Sequence, residues 1–143
     1  MLRSLVLPAL LVASGLCVAA EPSGTARGLV ERGLAAYLKG GATDAIKTWI
    51  RGSALEGNTQ ATTQANSLRQ IEDFYGKPQG ITALKEATIA PRVKTIYFTI
   101  NYEKGVAFSR FNEYQKTDGT WIVTSFLFHT EASQVFPTSL LGD

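Results

Sequence analysis

The sequence of 143 residues has one cysteine, Cys17, one histidine, His129, and one methionine. A single cysteine excludes an internal disulfide framework. One imidazole and one thiol fall short of the donor sets that hold zinc, copper or iron, so neither a metal site nor another cofactor is expected. The chain has no Gly-rich phosphate loop and no Ser-His-Asp arrangement. Its 14 Lys and Arg residues stand against 12 Asp and Glu and are scattered along the chain. A nucleic-acid or anionic-membrane partner would call for a basic patch or stripe, so neither is expected. After residue 20 no apolar run approaches the ~20 residues that cross a bilayer. There is no internal repeat and no low-complexity tract.

The N-terminus is different in texture. "MLRSLVLPALLVASGLCVAA" opens with Arg3, continues with a mostly apolar stretch from Leu5 to Val18, and ends on the small residues Val18-Ala19-Ala20. This pattern predicts a signal peptide over residues 1–20, cleaved before Glu21, and export of the chain to the periplasm or the medium. The apolar part is short for a retained anchor helix. Cys17 follows Ser14-Gly15-Leu16, whereas a bacterial lipoprotein signal resembles Leu-x-(Gly/Ala)-Cys. The bulky Leu16 departs from that pattern and argues against lipidation. Residues 21–143 then form a single domain with no cysteine and no stable membrane span, a size that suits one core.

Helical periodicity comes first. Between Thr25 and Lys39 the apolar residues Ala26, Leu29, Val30, Leu34, Tyr37 and Leu38 fall on one stripe, and Gly40-Gly41 ends it. Thr43 is the expected cap of a short second helix whose Ile46, Trp49 and Ile50 share a face. "SALE" at 53–56 matches a capping box for a third helix that ends at Tyr75 before Gly76 and Pro78. Gly57 and several threonines weaken the first turns of that helix. After Gly80 the periodicity changes to that of strands: about 84–90, 93–102, 106–116 and 120–130, with Pro91, Lys104-Gly105 and Asp118-Gly119 between them. Three helices followed by an antiparallel meander is an α+β layout, with the helices on one face of a four-stranded sheet.

Two-residue loops at Asp118-Gly119 and Lys104-Gly105 would set the register of the last three strands and so sort their side chains. One face collects Ile96, Phe98, Ile100, Tyr102, Phe111, Ile122, Phe126 and Phe128, a continuous apolar surface for the helices. Ser109, Glu113, Gln115 and Thr124 are the polar residues on this inner face. The outer face collects Tyr97, Phe108, Arg110, Tyr114, Trp121, Leu127 and His129, with Val123, among hydrogen-bonding side chains such as Thr95, Asn112 and Ser125.

The segment "TIYFTINYEKGVAFSRFNEYQKTDGTWIVTSFLFHTE", with the three preceding helices and Trp121 after an Asp-Gly turn, resembles the nuclear transport factor 2-like superfamily, a cystatin-like α+β cone. Within it, the chain resembles small exported bacterial proteins of unknown function. The resemblance covers residues 21–143. It implies a curved sheet wrapped around a long helix, a pocket between helices and the concave face, and dimers through the outer sheet face. It does not choose among isomerases, dehydratases and non-catalytic domains.

Trp49, Tyr102, Ser109 and Glu113 are therefore the expected lining of a small apolar-ligand site. Glu113, or Asp73, would serve as a base if the domain were an isomerase or dehydratase, because a carboxylate in an apolar cone has a raised pKa. No second acid or oxyanion donor is evident beside Glu113, so no catalytic residue is assigned. The outer residues Tyr97, Phe108, Arg110, Tyr114, Trp121, Leu127 and His129 would form a homodimer or partner interface. A competing expectation is that Val135, Phe136, Leu140 and Leu141 of the C-terminal segment fold back over them. The functions in view are an exported binding domain, a small-molecule enzyme of that family, or a structural accessory of an envelope assembly.

Overall fold

A computed structural model describes residues 24–142; the expected signal segment 1–20 and Cys17 lie outside the described residues. Three helices, α1 (Ala26–Gly40), α2 (Ala42–Ile50) and α3 (Thr59–Tyr75), precede four strands, β1 (Pro78–Ala90), β2 (Val93–Tyr102), β3 (Val106–Gln115) and β4 (Trp121–His129). The strands form one open antiparallel sheet in the order β1-β2-β3-β4. The helices pack on one face of this curved sheet, α1 against β1, β2 and β4, and α2 and α3 against β4. The fold is α+β. Among the described residues no helix is long and apolar enough to cross a membrane.

The caps depart from the expected ones. Thr25 Oγ1 accepts from Gly28 N–H at 2.9 Å and starts α1. Gly41 (φ 87°) stands at the start of α2 in place of Thr43, because α1 and α2 meet at a left-handed residue that only glycine adopts freely. The capping box at Ser53 does not form. Ser53 Oγ donates to Ile50 O at 2.6 Å and closes a turn instead, while Asn58 Oδ1 accepts from Gln60 N–H at 2.8 Å and begins α3. Strand β1 starts at Pro78 rather than near residue 84, and three register shifts bend it along β2.

Both hairpins differ from their expected loops, with opposite consequences. In the β2–β3 hairpin Tyr102 N–H donates to Gly105 O at 2.9 Å, so the two loop residues are Glu103-Lys104, one position earlier. The pairing moves by two: Ile100 lies opposite Ala107 and Phe98 opposite Ser109. An even shift leaves every side chain on its face. In the β3–β4 hairpin the loop has three residues, Thr117-Asp118-Gly119, closed by Lys116 N–H to Thr120 O at 2.9 Å with Gly119 left-handed (φ 85°). That odd shift turns the start of β4 over. Glu113 pairs with Val123 and Gln115 with Trp121. Thr124 is then an extra, exposed residue, and past it the expected pairs return: Asn112 with Ser125, Phe111 with Phe126, Phe108 with His129.

Four expectations are corrected by this bulge. Val123 is fully buried among the core residues, Thr124 faces solvent, and Trp121 packs against the core side of the sheet instead of the outer face. Ile122, paired with Tyr114, takes the outer position.

Candidate functional site

The space between helices and sheet is filled by Trp49. Its indole N–H donates to Val30 O at 3.0 Å, and its ring meets Phe111 at 4.8 Å and Phe128 at 5.7 Å between centroids. Gly33 makes room for it: a Cβ there would lie 1.9 Å from Trp49 Nε1. Trp49, expected to line a ligand site, is therefore a core residue whose one polar atom is satisfied.

Tyr102 is also enclosed. Its hydroxyl lies 3.1 Å from that of Tyr37, and its ring 6.3 Å from that of Tyr75. Burial pushes the Tyr102 hydroxyl up to about 12, although its bond to Tyr37 pulls the other way and the charge of Glu72 adds to the rise. Burial, the Tyr102 bond and Glu72 hold Tyr37 higher still. Both hydroxyls stay protonated, so the pair can donate hydrogen bonds but cannot serve as a base near neutral pH. The approach of Glu72 to these tyrosines was missed in the sequence; its only signal was the i, i+3 step from Glu72 to Tyr75 at the end of α3.

Ser109 and Glu113 point to the inner face on either side of Phe111, and both are completely buried. Among the described residues neither Ser109 Oγ nor either oxygen of Glu113 has a hydrogen-bond partner. Burial, reinforced by the charge of Glu86, raises the Glu113 carboxyl to about 9; Arg32 and Lys94 oppose the shift. Glu113 is thus a neutral acid at pH 7. Lys94, opposite it on β2, pairs with Glu86 and stands over the Trp121 ring at 5.4 Å. Asp73, the other candidate acid, is exposed on α3. Among the described residues no three His, Cys, Asp or Glu side chains come together as a metal site.

The outer face is partly covered. Val135 and Phe136 are buried, and Phe136 sits edge-on against Tyr97 and Phe108, at 5.8 and 5.3 Å. Beside them Thr95 Oγ1 donates to Asn112 Oδ1 at 2.8 Å, and Asn112 Nδ2 to Ser125 Oγ at 2.7 Å. Arg110 and Leu127 pair half-buried, Tyr114 lies under the Arg92 guanidinium at 5.0 Å, and His129 pairs with Phe108. His129 Nδ1 accepts from Glu131 N–H at 3.0 Å, which fixes its ring at the strand end.

An open cleft lies elsewhere. Ser67, Gln70, Ile71 and Phe74 of α3 face Phe128, His129 and Thr130 at the end of β4 across a space of about 380 Å³. Phe74 is 75% exposed, with its ring 4.9 Å from that of Tyr75. Ile71 and Phe128 supply an apolar floor, and the hydroxyl and amide groups supply hydrogen-bonding edges. Phe74 and Tyr75 follow Ile71 at the i+3 and i+4 steps of one apolar helix stripe, and that spacing does not tell which of the two stays exposed.

No family model matches the chain, and neither does any curated protein sequence or any solved structure.

Proposed function

We propose that the chain is an exported, non-catalytic binding domain of the nuclear transport factor 2-like type, and that it takes a small molecule with an apolar body and a polar end in the cleft between α3 and β4. The observation that carries this reading is Phe74, a large aromatic side chain left 75% exposed beside that cleft. An aromatic ring that lines a concavity with its face open offers the apolar wall on which small-molecule sites are built. The cleft volume of about 380 Å³ falls within the ordinary span of small-molecule sites, roughly 300–1,000 Å³. The interior between helices and sheet offers no comparable room, because Trp49, Phe111 and Phe98 occupy it.

Anilinonaphthalene sulfonate, an apolar body with an anionic end, is a suitable probe. Its fluorescence should saturate with the full chain, and Phe74→Ala should weaken the binding about tenfold, as expected for loss of an aromatic wall worth about 1.4 kcal/mol. Equal binding by both chains would remove the cleft as the site.

A further inference from the structure

The C-terminal segment suggests a second binding surface, separate from the cleft. Residues 132–141 form a strap of two short 3-10 turns, Ala132–Gln134 and Thr138–Leu140, across the outer sheet face. Val135 and Phe136 are sunk into that face, and neither belongs to the core cluster between helices and sheet. They form a small core of their own, with Phe136 wedged between Tyr97 and Phe108.

The strap keeps its backbone bonds to itself. The N–H groups of Val135 and Phe136 donate to Ala132 O at 3.0 and 2.8 Å, and those of Leu140 and Leu141 to Pro137 O and Thr138 O at 2.9 and 3.0 Å. Among the described residues no backbone hydrogen bond joins the strap to the sheet. A segment of this kind can leave its seat and enter another without stranding backbone groups that were paired to the sheet. Its departure also leaves the main core closed.

We propose that the Tyr97–Phe108 seat is a docking site for the Val135–Phe136–Pro137 segment of a second copy of this chain, so that two copies exchange straps. The occupant follows from complementarity, because the seat already fits this segment. Each contact given up within one chain is regained in the partner, the condition that makes exchange a low-cost route to dimers. Within one chain the strap competes at an effective concentration on the order of millimolar, so exchange grows with protein concentration.

The test uses the full chain carrying Phe136→Ala, whose seat is vacated, and a fluorescent peptide with the sequence EASQVFPTSLLG. The variant should bind the peptide saturably and at least tenfold more tightly than the unaltered chain does, and a peptide with alanine in place of phenylalanine should not bind. Equal binding by both chains, or no binding to a variant with a native circular dichroism spectrum, overturns the proposal. Peptide binding shows that the seat takes this segment in trans, and light scattering of the unaltered chain decides between exchange and seating within one chain. A dimer fraction that rises between micromolar and millimolar concentration and is suppressed by excess peptide supports exchange. A monomer throughout, or a dimer indifferent to the peptide, overturns it.

Discussion

At Glu113 a carboxylic acid stands in the core with neither oxygen hydrogen-bonded among the described residues. Its raised pKa has a definite consequence for stability. Below about pH 4.5 the folded and unfolded chains both hold this proton, and its ionisation leaves stability unchanged. Between 4.5 and about 9 the unfolded chain releases the proton and the folded chain keeps it, so stability falls as pH rises. Above that the two states match again and the decline levels off. Glu113→Gln keeps the shape and removes the titration. The variant should therefore be more stable than the parent at pH 8, by on the order of 5 kcal/mol, and within about 1 kcal/mol of it at pH 5. Urea unfolding at both pH values measures this, and an equal difference at the two would contradict the burial of a neutral acid. The alternation of β3 identified Glu113 as an inward residue. Its total burial was not legible, since that depends on how closely Trp49 and its neighbours fill the space above the sheet.

At the scale of elements, the bulge at Thr124 decides which residues of β4 reach the core. Val123→Thr would bury an added hydroxyl with no partner and should cost about 1–3 kcal/mol. Ile122→Thr, on the outer face, should cost under about 1 kcal/mol. Thermal unfolding of the two variants measures the contrast, and a reversed order would restore the unbulged register. The alternating pattern of β4 supports either register, because Ile122 and Val123 are both apolar. The Asp118-Gly119 pair announces a turn but suits a two- or three-residue loop equally well, and the left-handed Gly119 belongs to the longer one. The β2–β3 hairpin kept its faces despite its displaced loop, because its shift was even. There Gly105 serves a different purpose from turning: a Cβ on it would lie 2.3 Å from the Tyr75 ring.

For the whole molecule, the order of helices and strands was legible from periodicity and turn residues, as was the apolar inner face except at the start of β4. The open cleft was not. It arises where the end of α3 overhangs the end of β4, a relation between elements far apart in sequence that no local pattern encodes. The strap was legible as an alternative, with Val135 and Phe136 expected over an outer face that includes Tyr97 and Phe108, but not that Leu141 would stay exposed while Val135 and Phe136 are buried. The interior site expected around Trp49, Tyr102, Ser109 and Glu113 became a packed core because Gly33 admits the indole against α1. The proposed binding site therefore lies at the edge of the helix–sheet layer and not inside it. Amide chemical shifts of the full chain, followed by NMR during titration with anilinonaphthalene sulfonate, test that claim most directly. The account predicts that the perturbed amides cluster at residues 67–74 and 128–130. Perturbations centred instead on Trp49, Tyr102, Ser109 and Glu113 would contradict it and return the site to the interior.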